Sequence, residues 1–443
     1  MYRWFKTSPL YGGLFRLSKY TAVDLETLKT NLRAHLFDGA LFGFALSFVS
    51  VNTVFPVFIG RVGGSAIAVG SIPVLWTIGL NLPQAMLFRF THTTGPIKPV
   101  VLHYALLYRI SYLLIGLFTF IAVERVSIGL SVVLLLLLLF FTAVLGSVST
   151  LPWFVLFTKT VPVTLRGKVL AVRQILSSFL GVFGGSLVGF ILAVVPFPEN
   201  FSLLYLVAFV FMMMSYDALT SLNEPVVGPA GHNIVSFRRF LAVARRSIKE
   251  NKNLRSFLYA DALTLMSMTV AVFFPVCALE RFSLKAAYAG TFTVIFMGSM
   301  VVGNLFFGFL ADSYGHKLNL MLLAGFSIAA NVIAILADNI LIYGLVFFFT
   351  AGAVALQVIS RLSFIAELCA EHERSLYIAL VNTVTAPSVL VGVLGGAAVN
   401  AFGYVPVFVF AMATGGGALW ILYRYVEEPR VKFLKQYNAS AFN

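Results

Sequence analysis

Asp38, Arg109, Asp217, Asp261 and Arg361 all stand inside long apolar stretches of the chain. A charge in such a place is costly unless it is paired or used, so each is a candidate functional group. A carboxylate in apolar surroundings favours its neutral form and can take up and release a proton. Asp38 and Asp261 are therefore candidate proton-coupling residues, with a structural ion pair as the alternative for each. Arg109 could bind an anionic group or neutralise one of these aspartates, and the residues leave both open. Asp217 is a weaker candidate that could simply face the membrane interface. The 6 histidines are dispersed without ligand spacing, so no metal site is expected. Gly181-Val-Phe-Gly184-Gly185 and Gly392-Val-Leu-Gly395-Gly396 follow no strand and read as close helix packing, not phosphate loops. No catalytic constellation or cofactor motif is present, so an enzyme is not expected.

The stretches that must position these groups are each about twenty residues long, enough to cross a hydrocarbon core of about 30 Å as a helix. Twelve lie between Arg33 and Tyr425, at roughly 33–60, 65–88, 99–122, 127–155, 167–195, 201–221, 254–279, 286–311, 317–337, 339–365, 375–401 and 404–425. A chain that is 60% hydrophobic and 11% charged is no soluble globule. Lipid offers the backbone no hydrogen bonds, so the spans must be helices. Of the 31 Lys and Arg, only Arg61, Arg125, Arg281 and Lys285 fall in the odd-numbered loops, and Arg109 and Arg361 lie within spans. That bias predicts an inner-membrane protein with both termini in the cytoplasm. The net charge of +14 then points to anionic lipid of the cytoplasmic leaflet, not to nucleic acid. No cleavable signal peptide is expected in the polar, basic first residues. Cys277 and Cys369 fall on opposite membrane faces, so no disulfide is expected between them.

The predicted organisation is a cytoplasmic tail over 1–32, a six-helix bundle over 33–221, a linker over 222–253, a second bundle over 254–425 and a tail over 426–443. The linker carries Phe237, Phe240, Leu241, Ala244 and Ile248 on one helical face and arginines elsewhere, a basic amphipathic helix or a solvated connector. The halves repeat each other. Phe37-Asp38-Gly-Ala-Leu answers Tyr259-Ala-Asp261-Ala-Leu, Arg166-Gly-Lys-Val-Leu-Ala171 answers Arg374-Ser-Leu-Tyr-Ile-Ala379, and Glu224-Pro225 answers Glu428-Pro429. Two six-helix halves related by an axis along the membrane normal are a known transporter architecture, with the solute site between them.

After the eighth span the chain reads Gly308-Phe-Leu-Ala-Asp312-Ser-Tyr-Gly315-His-Lys317. This resembles the signature loop of the major facilitator superfamily, Gly-x-Leu-Ala-Asp-x-x-Gly-(Arg/Lys)-Lys, with His316 at the first basic position. The resemblance implies an all-α membrane protein of twelve transmembrane helices in two pseudo-symmetric six-helix bundles. It also implies that this loop locks the cytoplasmic side, with Asp312, Arg361, Glu367 and Arg374 as an inner-face charge cluster and Gly308, Gly315 and Lys317 shaping the turn. The first half keeps only a degraded loop over 84–99, and Trp153 stands where Arg361 falls by repeat, so an asymmetric gate is expected.

By the same resemblance, spans one, four, seven and ten line the path. Asn52, Trp153 and Gln357 are its candidate substrate contacts, beside Ser50, Thr53, Ser149, Thr264, Ser267 and Ser360, which serve equally well as helix-helix glue. Asp38 and Asp261 lie about 7–10 Å inside the cytoplasmic ends of their spans, at about 1.5 Å per residue. The expected function is a secondary active transporter, monomeric and proton-coupled, that moves a small solute across the cytoplasmic membrane by alternating access. The competing readings are a drug or lipid exporter, against which the missing Gly-Pro pair in span five counts, and a non-transporting membrane receptor or assembly factor.

Overall fold

The computed structural model describes residues 25–87, 96–225, 245–369 and 373–429. Most of the linker stretch expected as a basic amphipathic helix or solvated connector, the centre of the degraded 84–99 loop and most of both expected tails lie outside these residues. The described residues form helices joined by short turns, with no strand among them. Among the described residues, ten helices are long and apolar enough to cross a membrane.

Span one is Leu25–Phe48 followed by Val54–Val62, and span two is Ala66–Leu87. Lys98–Ala122, Ile128–Thr160, Val163–Val194 and Glu199–Thr220 form spans three to six. Span seven is Lys252–Thr269 and Phe274–Arg281, joined by a 3-10 turn at Val270–Phe273. Tyr288–Tyr314, His316–Leu336 and Ile340–Glu367 form spans eight to ten. Span eleven is Arg374–Thr385 and Val391–Phe402 around a 3-10 turn at Ala386–Leu390, and span twelve is Tyr404–Arg424.

Spans one, seven and eleven are thus interrupted where unbroken helices were expected. Each break adjoins a proline: Pro56, Pro275 and Pro387 each lack an N–H and crowd the carbonyl four residues back, at Asn52, Ala271 and Thr383. The breaks at 49–53 and 270–273 fall at matching places in the two repeats.

The two halves meet close to the face opposite the chain ends, here called the far face. Carbon-carbon contact there needs glycine. A Cβ on Gly70 would overlap the Gly392 carbonyl, and one on Gly290 would overlap the Gly189 backbone. Thr53 and Thr293 hydrogen-bond across the halves at 2.7 Å. Buried aromatics fill the space around these contacts, including Phe58 stacked on Phe201 and Phe292 stacked on Phe347. Toward the terminal face, Phe37 (62% exposed) and Tyr259 (63%), each just before the aspartate of its span, stand open, as do Phe154, Val358 and Leu362. These residues lie on spans one, four, seven and ten. The molecule is closed at the far face.

The repeated Glu-Pro pairs hold the terminal face together. Glu224 accepts hydrogen bonds from the N–H groups of Ile97 (3.0 Å) and Lys98 (2.8 Å) and from Lys159 Nζ (2.7 Å). Glu428 accepts from Lys317 N–H at 2.7 Å, at the start of span nine. A carboxylate at a helix N-terminus satisfies orphan donors and complements the dipole. Gly315 adopts φ +86°, and a Cβ there would lie 2.5 Å from Glu428 Oε2, so the turn requires glycine. Asn31 and Asn223 exchange two backbone-side-chain bonds, and Asn253 and Glu427 do the same in the other half.

Burial alone would raise the Glu224 pKa, but the bonds from Ile97, Lys159 and Lys98 outweigh it and hold the carboxyl below its ordinary 4.5. A depressed carboxylate stabilises the fold above its unfolded pKa and loses that contribution as pH falls through the folded value. Glu224→Gln should cost about 2 kcal/mol at neutral pH. The gap to wild type, read from thermal unfolding, should close below about pH 4.5. A gap that widens on acidification would contradict the assignment.

Candidate functional site

In the N-terminal half, Asp38 is 2% exposed and lies among spans one, three, five and six. Its Oδ1 accepts from Ser215 Oγ (2.6 Å) and from Arg109 Nη2 (3.5 Å), and its Oδ2 accepts from Arg173 Nη1 (2.6 Å). Arg109 is fully engaged: Nε donates to the Met212 carbonyl, Nη1 to the Ala105 carbonyl, and Nη2 to Ser215 Oγ and Asp38. Of the two roles open to Arg109, neutralising an aspartate matches this geometry. Phe42 and Tyr216 pack their rings against it.

Arg173 comes from span five and reaches span one because Gly39 leaves room; a Cβ on Gly39 would overlap the arginine stem. Its guanidinium lies 4.5 Å from the Trp153 ring centroid, and Nη1 also donates to the His35 carbonyl at 3.2 Å. His35 Nε2 is bonded to Thr160 Oγ1 at 2.8 Å.

The C-terminal half builds its counterpart differently. Arg361 of span ten grips Asp261 of span seven with two parallel bonds, Nε to Oδ1 at 2.8 Å and Nη2 to Oδ2 at 2.7 Å. Nη1 donates to Asn382 Oδ1 at 2.9 Å, and Nη2 also reaches Thr385 Oγ1 at 3.3 Å. Bidentate pairing is the strong form of such a bridge. Gln357 lines a small cavity beside this pair with Thr264.

Of the expected inner-face cluster of Asp312, Arg361, Glu367 and Arg374, Arg361 is thus engaged elsewhere, on Asp261. Arg361 sits six residues, about 9 Å, before the end of span ten, which sets it level with Asp261. A carboxylate buried at that depth claims the nearest cation, because removing either partner leaves an unpaired charge. Glu367 instead faces His316, with Oε1 3.6 Å from Nε2. Asp312 is exposed at the end of span eight with no ion pair among the described residues. Gly308 meets nothing within 4 Å of a would-be Cβ. Arg374 opens span eleven, and Lys317 Nζ donates to the Tyr423 carbonyl at 3.3 Å.

Asn52 is exposed within the break of span one. Several path candidates act as glue in this structure. Ser267 bonds Ser327 and the Ala411 carbonyl, and Ser360 bonds His316 and Asn319, whereas Thr264 donates to the Ala260 carbonyl of its own helix. Sequence reasoning missed Arg173, which it grouped with the inner-loop charges although it lies well inside span five. The repeat offered a signal: Arg173 falls close to the position of Asn382, as Trp153 falls at that of Arg361. The cation has moved from span ten in one half to span five in the other. Ser215, His35 and Asn382 carried no signal beyond being polar residues near an aspartate.

A family model described as Major Facilitator Superfamily matches residues 256–442. No curated protein matches the chain. Among solved structures, a variant of the nucleoside transporter NupG is similar at TM-score 0.68 and 14% identity, covering 90% of this chain and 100% of that one. A D-xylose-proton symporter matches at TM-score 0.65 and 14% identity over 90% of this chain and 98% of that one. The inward-open xylose transporter XylE from E. coli matches at TM-score 0.64 and 13% identity over 90% and 97%. At such identities the likeness carries the fold.

Proposed function

We propose that this chain is a secondary active transporter of the major facilitator superfamily that couples movement of a small solute across the cytoplasmic membrane to a proton gradient. The lysine and arginine bias assigns the terminal face to the cytoplasm. The far-face contacts support reading this as an inward-facing state, in which the halves 33–221 and 254–425 would rock about a central site, joined through 222–253. Asp312, Glu367, Arg374, Gly308, Gly315 and Lys317 belong to the face that closes in the opposite state, where Gly308 and Asp312 gain neighbours.

The observation that carries this reading is the pair of membrane-embedded aspartates on spans one and seven, each held by arginine at matching depth. Protonating Asp38 cancels its attraction to Arg109 and Arg173 and leaves Ser215 as its neutral partner. That change loosens span one from spans three and five, so proton binding alters the contacts that rocking must rearrange. Asp261, in its bidentate bridge, is the better-locked of the two and serves as the structural counterpart.

Proteoliposomes with an internal pH dye, challenged with sugars, nucleosides, amino acids and organic anions, test this. One solute class should drive proton entry in the wild type. Asp38→Asn should abolish that flux, by at least about 100-fold if Asp38 is the obligatory carrier, while solute binding persists in a thermal-shift assay. Solute-driven proton flux that survives Asp38→Asn would remove Asp38 from the coupling, and transport without proton flux would remove the coupling itself.

A further inference from the structure

We infer that the solute carries an anionic group, a carboxylate or a phosphate, which docks on the free edge of Arg173. This rests on reading the molecule as a transporter and adds the chemical class of what it carries.

The N-terminal cluster holds two arginines against one aspartate, an excess of one positive charge inside the membrane. Each nitrogen of Arg109 is bound within the fold. Arg173 is not so bound. Its Nη1 alone is engaged, with Asp38 and the His35 carbonyl, while Nε and Nη2 have no acceptor among the described residues. Those two N–H groups form the side of the guanidinium that meets a carboxylate or phosphate with two parallel bonds. The Arg173 side chain is 17% exposed, so it is not sealed within the bundle. Trp153 stacks on the guanidinium plane and fixes its orientation. The Trp153 indole N–H is itself buried with no partner among the described residues. The site thus presents surplus donors and one surplus charge, with the buried His35 Nδ1 as its one unpaired ring nitrogen among the described residues.

The other half supplies the control. There one arginine meets one aspartate, and each nitrogen of Arg361 has an acceptor. Its charge is balanced and its donors are spent, so the anion is received by the N-terminal half alone. Since Asp38 already occupies Nη1, the incoming anion competes with it for the same guanidinium. Removing the Asp38 charge should therefore strengthen anion binding.

The test uses the full chain in nanodiscs of zwitterionic phosphatidylcholine and thermal-shift titration with matched probes: gluconate against glucose, and glycerol 3-phosphate against glycerol. A charged member should stabilise the wild type and its neutral partner should not. Half-saturation should rise at least about tenfold in Arg173→Gln, the loss of roughly one charge-assisted hydrogen bond. It should rise less in Arg173→Lys, which keeps the charge and loses the fork, and fall in Asp38→Asn. Should Arg173→Gln not fold, the Lys and Asn variants decide the matter by these opposite shifts.

Equal stabilisation by neutral and charged partners, no response to any charged probe at millimolar concentration, or an anion response unchanged in the variants would each overturn the inference. A response confined to discs containing anionic phospholipid would assign the site to a lipid headgroup and overturn the solute. The two readings fail separately. A neutral solute that drives proton flux keeps the transporter and removes the anion. Anion binding that tracks Arg173 without proton flux keeps the site and removes the coupling.

Discussion

Arg361→Ala is expected to destabilise the protein by about 3–5 kcal/mol, the scale for stripping one partner from a buried bridge. Asp261 is 5% exposed at its side chain and takes both carboxylate oxygens' bonds from Arg361, so truncation leaves a charge in the membrane with no cation. Asn382 loses its donor at the same time. Asp261→Asn should be damaging for the mirror reason, because it leaves the guanidinium unneutralised. Replacing both, Asp261→Leu with Arg361→Leu, should recover most of the loss, since the cost lies in the orphaned charge more than in the missing attraction. Thermal unfolding of the four proteins in one detergent measures this. Double-variant damage equal to the sum of the singles would mean that the two residues act independently and that the bridge is incidental.

The helix count and the two-half design were legible because lipid leaves the chain no alternative to apolar helices of fixed length. Asp38 and Asp261 were legible for a related reason: a charge in an apolar run cannot be bland. Their partners were harder to read. Arg361 announced itself by its depth, but it was joined to Glu367 and Arg374 by the family's habit, whereas the fold sets it beside Asp261. Arg173 hid in plain view, because span five begins with Arg166 and Lys168 and the whole run reads as inner-loop charge. Only the Gly39 gap and the Trp153 ring show that its side chain turns inward to span one. The breaks in spans one, seven and eleven were foreshadowed by Pro56, Pro275 and Pro387. Yet Pro152 sits inside an unbroken span four, so proline alone does not decide where a helix opens. The Glu-Pro pairs were seen as repeats, and their work as caps of spans three and nine needed the tertiary structure.

Gly290→Val should abolish transport by holding the far face apart. A Cβ at Gly290 would collide with the backbone of Gly189 and lie 2.6 Å from the Gly185 carbonyl, and backbone cannot swing aside as a flexible side chain can. Spans five and eight must then separate where the halves now touch, and the Thr53–Thr293 bond breaks with them. On the proposed rocking mechanism the state closed at the far face needs that contact and the opposite state gives it up, so the variant should lose one state and keep the other. A shift of roughly 5.5 kcal/mol would move the balance from 99:1 to 1:99, and steric exclusion of this kind is of that order or greater. Val276 reports the outcome: it faces Gly60 across the halves at 3.9 Å from that glycine's would-be Cβ. With Cys277 and Cys369 replaced by serine, a Val276→Cys probe should react slowly with an impermeant maleimide from the far side in the otherwise native chain. Adding Gly290→Val should speed that reaction by at least about tenfold as the far face opens. Gly290→Ala should have a smaller effect in the same direction. Unchanged labelling together with retained transport would show that the halves close around a different contact, and the rocking model built on the glycine seam would fall.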